Sequence, residues 1–266
     1  MESLEKNSIV TEKLDVAYGD TAIIRDMNIE IPRGKITSVI GPNGCGKSTL
    51  LKAMGRILRP QGGQVYLNGE DLRRLSARET ATKMAILPQT PTAPGGLTVS
   101  ELVGYGRFPH QRGFGRMTAQ DKEVIQWAME ATGLLGLQNR EVDTLSGGQR
   151  QRVWIAVALA QQTDLILLDE PTTYLDLAHQ LEVLQLLYRL NREQGCTIAM
   201  VLHDLNLAAR FSDCMIAVRE GRVVRCGSPE EVMTQEVLAR TFSIDAELVR
   251  DVRTGRPSCV SYELIR

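Results

Sequence analysis

Residues 41–49 constrain this chain more than any other stretch of its sequence. They read GPNGCGKST and fit the pattern G-x-x-x-x-G-K-[ST], a loop that binds phosphate groups through its backbone N–H groups. Glycines allow this because they adopt backbone conformations that other residues avoid. The Lys47 ammonium group can reach the β- and γ-phosphates of a nucleotide, and the Ser48 hydroxyl can bind Mg²⁺. The predicted nucleotide-binding residues are Gly41, Pro42, Asn43, Gly44, Cys45, Gly46, Lys47, Ser48 and Thr49.

The residues that flank this loop predict an α/β fold. Residues 36–40, ITSVI, are typical of a short buried strand, and residues 49–54 are typical of a helix. In this arrangement the helix N-terminus faces the bound anion. Kinases, GTPases and many ATPases share such a loop, so the loop alone predicts a nucleotide but not the reaction.

The composition and charge exclude several kinds of protein. The chain has 266 residues, of which 43% are hydrophobic and 24% charged, and a net charge of −1. This length allows one large α/β domain, or a core with a smaller subdomain. Acidic and basic residues are interspersed without a lysine/arginine tract, so we expect no nucleic-acid partner.

The cysteines and the apolar runs predict a protein of a reducing cytosol. The five cysteines include no C-x-x-C pair, which indicates neither a zinc site nor a disulfide framework. The first seven residues contain no apolar run, so we expect no signal peptide. Every apolar run is much shorter than the ~20 residues that span a bilayer, so we expect no membrane insertion by the chain itself.

Two acidic residues follow the second strong strand signal. Residues 165–168 are all apolar, as in a central parallel strand, and Asp169 and Glu170 come directly after them. At that strand end Asp169 is predicted to hold Mg²⁺ through its water shell, and Glu170 to polarise an attacking water.

A second phosphate-binding pattern lies at residues 145–149, which read LSGGQ before a predicted helix. A serine hydroxyl and two glycine amides at a helix N-terminus can bind an anion, yet one nucleotide does not need two such sites in one chain. At this point the sequence resembles the ATP-binding cassette (ABC) ATPase family, whose signature is LSGGQ. The resemblance covers about residues 18–227.

The resemblance implies an α/β P-loop NTPase fold with a RecA-like core, an antiparallel β subdomain and a helical subdomain. It predicts a single ABC ATPase domain over residues 1–266. Residues 1–89 and 164–266 would form the catalytic core with the β subdomain. Residues 90–163 would form the helical subdomain that carries LSGGQ.

Family roles are implied for individual residues. Tyr18 matches the aromatic residue that stacks on adenine, and Gln89 the glutamine that contacts Mg²⁺ and senses the transporter. Glu170 matches the catalytic base and His203 the histidine that holds the γ-phosphate. Asp176 matches the loop that crosses the dimer interface. The P-loop of one copy would enclose ATP with four residues of a second copy, namely Ser146, Gly147, Gly148 and Gln149.

These implications define a homodimer with ATP and Mg²⁺ as cofactors. The catalytic residues expected from it are Lys47, Gln89, Glu170 and His203, and the Mg²⁺ ligands are Ser48, Gln89 and Asp169. Cys45 lies near a helix N-terminus, where the pKa of a thiol can be lowered, so maleimide is predicted to inactivate the enzyme and ATP to protect it. Inert packing of Cys45 is the alternative.

The segment at residues 98–111 indicates the kind of transporter. Its residues 106–110 resemble the Gly-Arg-aromatic-Pro-His segment of ATPases that serve iron–siderophore permeases, relatives of haem and cobalamin importers. The residues LAHQ after Asp176 and the residues 227–229 agree with that group. The segment is expected on the face that receives the permease's coupling helix, next to Gln89.

The chain is therefore expected to be the ATPase subunit of a bacterial importer at the cytoplasmic face of the inner membrane. Its partners would be polytopic permease subunits and, indirectly, a periplasmic or lipoprotein substrate-binding protein. The ATPase of a haem or cobalamin importer is the alternative, and a soluble regulatory ABC protein without a permease is a further one.

Overall fold

The computed structural model describes residues 6–111 and 117–265. Its strands are β1 (Asn7–Tyr18), β2 (Thr21–Pro32), β3 (Ile36–Ile40), β4 (Gly62–Leu67), β5 (Glu70–Asp71), β6 (Met84–Leu87), β7 (Leu165–Leu168), β8 (Thr197–Val201), β9 (Cys214–Arg219), β10 (Arg222–Gly227), β11 (Ile244–Arg250) and β12 (Pro257–Leu264). Its helices are α1 (Lys47–Met54), α2 (Ala77–Lys83), α3 (Val99–Gly104), α4 (Ala119–Ala131), α5 (Gly147–Ala160), α6 (Leu177–Gln194), α7 (Leu205–Phe211), α8 (Pro229–Val232) and α9 (Gln235–Phe242).

A six-stranded sheet with the order β10-β9-β3-β8-β7-β6 forms the centre of the fold. Its strands pair in parallel except for β10, which is antiparallel to β9. Leu165 and Leu167 of β7 pack into one apolar cluster, whereas Ile166 and Leu168 pack into a second cluster on the opposite face. Because both faces are buried, the strand is apolar throughout, which confirms the prediction of a central parallel strand.

The N-terminal part of the chain forms an antiparallel sheet with the order β2-β1-β4-β5. The Asn68–Gly69 pair predicts a two-residue turn after a strand, and this prediction is confirmed. The two residues have φ angles of 50° and 83° and join β4 to β5. The sequence also predicts a short strand at residues 28–31, and these residues form the end of the longer strand β2. Strand β2 of this sheet leads into β3 of the central sheet, and the P-loop follows β3.

The helices α3, α4 and α5, which lie between β6 and β7 in the sequence, pack against one another. Each begins with a capping box, in which Thr98, Thr118 or Ser146 binds the backbone of the residue three positions later. The sequence predicts a short helix over residues 99–104, and α3 has these bounds. It also predicts an apolar helix over residues 152–161, but α5 begins at Gly147, because the Ser146 cap starts the helix within the LSGGQ pattern.

The extended C-terminal segment is one strand of an antiparallel hairpin, β11–β12. Asn206 of α7 fixes this hairpin through two hydrogen bonds. Its Nδ2 donates to the Cys259 carbonyl at 3.0 Å, and its Oδ1 accepts from the Cys259 N–H at 2.7 Å.

The cysteines are all free thiols, but two of them meet in the fold. The sulfur atoms of Cys214 and Cys226, on the neighbouring strands β9 and β10, lie 3.9 Å apart. Among the described residues, none of the helices has both the length and the apolar character that a bilayer span requires.

Candidate nucleotide-binding site

The loop between β3 and α1 folds around the buried Lys47 side chain. Lys47 Nζ donates to the Gly41 carbonyl at 2.8 Å and to the Pro42 carbonyl at 2.9 Å. A methyl group on Gly41 would lie 2.2 Å from the Val218 carbonyl oxygen, so only glycine fits there. Gly46 precedes α1 with a φ angle of 106°, which also favours glycine. The first N–H groups of α1 have no partner within the helix and can therefore bind a phosphate group.

Ser48 and Asp169 meet at the end of α1 that faces the loop. The Ser48 hydroxyl donates to Asp169 Oδ1 at 2.8 Å, and Asp169 is almost completely buried. Burial raises the pKa of Asp169, the Ser48 hydrogen bond opposes this, and the neighbouring Glu170 charge raises it further. The two side chains offer only oxygen atoms, the donors that Mg²⁺ prefers, so they fit this ion.

Glu170 is held from three sides. Its Oε1 lies 2.6 Å from His203 Nε2, while its Oε2 accepts from Gln89 Nε2 at 2.5 Å and from Thr173 Oγ1 at 3.0 Å. The residue has a φ angle of 53°, an unfavourable conformation for a non-glycine residue, so these contacts hold it in a strained backbone. The carboxylate is thereby fixed at the edge of the sheet, next to the P-loop.

The sheet itself brings these residues together. The Asp169 N–H donates to the Leu87 carbonyl at 2.9 Å, which extends the pairing of β6 and β7 by one residue. Gln89 follows β6, Glu170 follows β7 and His203 follows β8, and β6, β7 and β8 are parallel neighbours. The side chains at their carboxyl ends therefore meet at one edge, as expected for an open α/β sheet.

Thr173 was not identified from the sequence. Its spacing of three residues from Glu170 is the only local signal, and the Thr173 N–H also donates to the Glu170 carbonyl at 3.2 Å. This turn therefore places the threonine hydroxyl within hydrogen-bond distance of the Glu170 carboxylate.

The prediction of a lowered pKa for Cys45 is wrong. Cys45 is buried, and burial raises the pKa of its thiol, although the nearby Lys47 charge acts in the opposite direction. Desolvation of the thiolate thus raises the pKa of Cys45 by more than the helix N-terminus and the Lys47 charge lower it.

The LSGGQ residues lie apart from the P-loop within one chain. Ser146 caps α5 by accepting from the Gln149 N–H at 3.3 Å, and Ser146 and Gly147 are exposed. In the described part of the chain, no hydrogen bond or ion pair joins them to residues 41–49. Asp176 caps α6, and Tyr18, 47% exposed, ends β1. The structure thus gathers Lys47, Ser48, Gln89, Asp169, Glu170 and His203. Outside this cluster, Tyr18, Ser146, Gly147 and Asp176 are exposed, whereas Gly148 is buried.

The segment at residues 106–110 is held mainly by buried polar contacts. Arg107 is buried, and its Nε lies 2.8 Å from Asp121 Oδ1, while its Nη1 donates to the Ala160 carbonyl at 2.8 Å. Tyr105 and Phe108 stack at 4.8 Å and are partly exposed. Arg107 therefore fixes the segment, and the two rings form its accessible surface.

The sheet, the loop and the carboxylates at the strand ends define a P-loop nucleotide-binding protein. Comparison with protein families matches residues 24–173 to the family described as "ABC transporter". The chain belongs to this family, as an ATPase of the ABC type.

Two curated relatives are similar over nearly the whole chain. The iron(3+)-hydroxamate import ATP-binding protein FhuC of Bacillus subtilis is 62% identical over 98% of this chain and 97% of the relative. The ferric enterobactin transport ATP-binding protein FepC of Escherichia coli is 47% identical over 94% of this chain and 92% of the relative.

Solved structures agree with the fold. One chain comes from an ABC transporter designated as metal-chelate type, in an inward-facing conformation. It matches with a TM-score of 0.83 and 30% identity over 96% of this chain and 97% of the other. A dimeric ATP-binding cassette in a post-hydrolysis state with ADP and Pi matches with a TM-score of 0.71 and 30% identity over 83% and 98%.

Proposed function

We propose that this chain is the ATP-hydrolysing subunit of a bacterial importer that takes up an iron–siderophore complex. The observation that carries the proposal is the identity of 62% to an iron(3+)-hydroxamate import ATP-binding protein over almost the full length of both chains. The assembled cluster of Gln89, Glu170 and His203 supports a hydrolytic role.

In this proposal residues 41–49 bind the phosphates of ATP. Lys47, whose ammonium group donates to the Gly41 and Pro42 carbonyls, binds the β- and γ-phosphates when ATP enters the loop. Ser48 and Asp169 hold Mg²⁺ with the nucleotide, Asp169 through the water shell, and Gln89 is a further ligand. When bound, this ion neutralises charge on the phosphates. Tyr18 stacks on the adenine ring.

Glu170 is the general base that takes a proton from the attacking water. Gln89, Thr173 and His203 bind its two oxygens and so fix the carboxylate in one orientation. His203 also holds the γ-phosphate, and with Lys47 it stabilises the charge that develops during transfer.

Two copies form a homodimer with two ATP sites. Ser146 and Gly147 are exposed and therefore accessible to a second copy. Together with Gly148 and Gln149, they complete the site around the ATP that is bound to the P-loop of that copy. The dimeric post-hydrolysis state of a similar cassette with ADP and Pi supports this arrangement. Asp176 lies at the interface between the copies.

The permease docks on the helical subdomain, residues 90–163, next to Gln89. The remaining residues, 1–89 and 164–266, form the catalytic core with the β subdomain. The exposed rings of Tyr105 and Phe108 provide an apolar contact surface, and the Arg107–Asp121 ion pair keeps this surface in place. The chain then lies at the cytoplasmic face of the inner membrane, and a periplasmic or lipoprotein binding protein delivers the cargo to the permease.

Complementation tests this function. A Bacillus subtilis strain without FhuC, which produces this chain instead, is expected to regain uptake of radioactive iron(3+)-hydroxamate, and the Lys47→Ala variant is expected not to. Absence of uptake with a well-produced, ATP-hydrolysing chain would overturn the hydroxamate assignment. If the chain instead supports uptake by a haem or cobalamin permease, it is the ATPase of such an importer. If it purifies with a soluble complex and without a membrane protein, a regulatory ABC protein is favoured.

The shared sites have a separate test. Lys47→Ala disables the P-loop and Ser146→Arg disables the signature, so each variant alone forms two defective sites. A mixed dimer has one site with both defects and one intact site. Mixing the two inactive variants is therefore expected to restore ATP hydrolysis, and a mixture that stays inactive would contradict sites that two copies share.

A further inference from the structure

His179, in the first turn of α6, contacts two segments that are far apart in the sequence. Its Nδ1 lies 2.8 Å from Asp176 Oδ1, which also accepts the His179 backbone N–H at 2.9 Å. On its other side the ring packs on the backbone of Gly148. A methyl group on Gly148 would lie 2.6 Å from His179 Cδ2. The imidazole ring therefore fills the space between the start of α5 and the loop before α6.

The hydrogen bond between His179 and Asp176 fixes the orientation of the His179 ring. Asp176 is an acceptor here, so Nδ1 of His179 carries a proton and the ring has a defined orientation. These hydrogen bonds also lower the pKa of Asp176. One side chain thus contacts Gly148 of the LSGGQ stretch and Asp176 at the same time.

Asp176 is in turn connected to Glu170 by a short, internally bonded segment. The Thr173 N–H donates to the Glu170 carbonyl at 3.2 Å, and Gln180 Nε2 donates to the Leu175 carbonyl at 2.9 Å. Five residues and these bonds therefore connect Asp176 to the residue that carries the carboxylate.

We propose that His179 is a positioning residue that couples the two ATP sites of the dimer. The proposal rests on the proposed function, in which residues 146–149 contact the ATP of the partner copy while Glu170 acts on the ATP of its own copy. When residues 146–149 bind one nucleotide, the His179 ring moves Asp176 and thereby Glu170 in the other site. Occupation of one site thus prepares the second, which is positive cooperativity.

Two variants separate the contacts of His179. His179→Ala removes the ring but keeps the backbone bond that caps α6, so the fold is expected to remain and the Tm to change by no more than about 2 °C. His179→Asn places an amide N–H near the position of Nδ1 and lacks the outer part of the ring that packs on Gly148. Coupling needs both contacts, so both variants are expected to lose it.

The readout is the dependence of the ATP hydrolysis rate on ATP concentration. For two coupled sites we expect a Hill coefficient of about 1.5–2 in the wild type and about 1 in both variants. His110→Ala, on a histidine that binds the Gln161 carbonyl outside the site, is the matched control and is expected to keep the wild-type coefficient.

The outcomes distinguish the inference from the function on which it rests. A cooperative wild type with an equally cooperative His179→Ala variant would overturn the role of His179 alone. Cooperativity that is lost in His179→Ala and kept in His179→Asn would overturn the contact with Gly148 as part of the coupling. A wild type with a Hill coefficient of 1 and no ATP-dependent dimer would overturn both proposals.

Discussion

His203 Nε2 lies 2.6 Å from Glu170 Oε1 although 33 positions separate the two residues in the sequence. They meet because β7 and β8 are parallel neighbours whose carboxyl ends share one edge of the sheet. The contact orients the carboxylate, and in the proposed mechanism the same histidine binds the γ-phosphate. Water activation and phosphate binding are therefore linked through one pair of side chains.

Removal of the His203 ring tests this pair. His203→Ala is expected to lower kcat by about 100-fold or more, because general-base catalysis depends on the orientation of Glu170. The KM for ATP is expected to change little, since residues 41–49 still bind the phosphates. Steady-state phosphate release measures both constants, with His110→Ala as the control. A kcat within twofold of the wild type would contradict the role of His203.

Lys47 is predicted to act in nucleotide binding itself. A hydrogen bond to a charged group contributes about 1.5–3 kcal/mol, so Lys47→Ala is expected to raise the Kd for ATP by ~10–150-fold. Isothermal titration calorimetry measures this constant. Lys52→Ala removes the same charge from the same helix, and its Kd is expected to stay close to that of the wild type. An unchanged Kd in Lys47→Ala would contradict the assignment.

The thiols are predicted to react in a definite order. Burial raises the pKa of Cys45, whereas the hydrogen bond from Cys214 lowers the pKa of the exposed Cys226. Only the thiolate is nucleophilic, so at pH 7 maleimide is expected to modify Cys226 at least about tenfold faster than Cys45. The Cys45 rate should rise with pH as its thiolate forms. Mass spectrometry of digested protein measures the order, and labelling of Cys45 before Cys226 would contradict it.

The buried ion pair of Arg107 and Asp121 predicts a pH-dependent stability. The Arg107 hydrogen bond holds the pKa of Asp121 at about 2, below its usual value of 3.8. A carboxylate with a lowered pKa stabilises the fold above pH 4, and this contribution of about 2 kcal/mol is lost as the pH falls through 2.

The Asp121→Asn variant isolates this contribution. It leaves the Arg107 charge without its partner and is expected to be about 3–5 kcal/mol less stable at neutral pH. Urea unfolding at several pH values is expected to show the difference between wild type and variant shrinking by about 2 kcal/mol between pH 5 and pH 2. A constant difference would mean that the fold does not lower the pKa of Asp121 and would contradict this account.

The parts of the fold that depend on neighbouring residues could be predicted from the sequence. The strand–loop–helix around Lys47, the apolar strand before Asp169 and the Asn68–Gly69 turn each follow from a local pattern. The family resemblance proved correct as well, because its motifs are contiguous and occur in order.

Contacts between residues that are distant in the sequence could not be predicted from such local patterns. The burial of Arg107, the meeting of Cys214 with Cys226 and the packing of His179 on Gly148 depend on how separate elements are placed in space. The error over Cys45 has the same origin, since the helix N-terminus is visible in the sequence but the burial of the thiol is not.

The state of the Glu170→Gln variant with ATP and Mg²⁺ tests whether two copies enclose ATP and whether Glu170 is the base. The amide keeps the size of the side chain but cannot accept a proton, so ATP is expected to stay bound. Light scattering coupled to size-exclusion chromatography should then give twice the chain mass of 29.5 kDa, with ATP turnover reduced by at least about 100-fold. A monomeric variant, or one that hydrolyses ATP at the wild-type rate, would contradict the account.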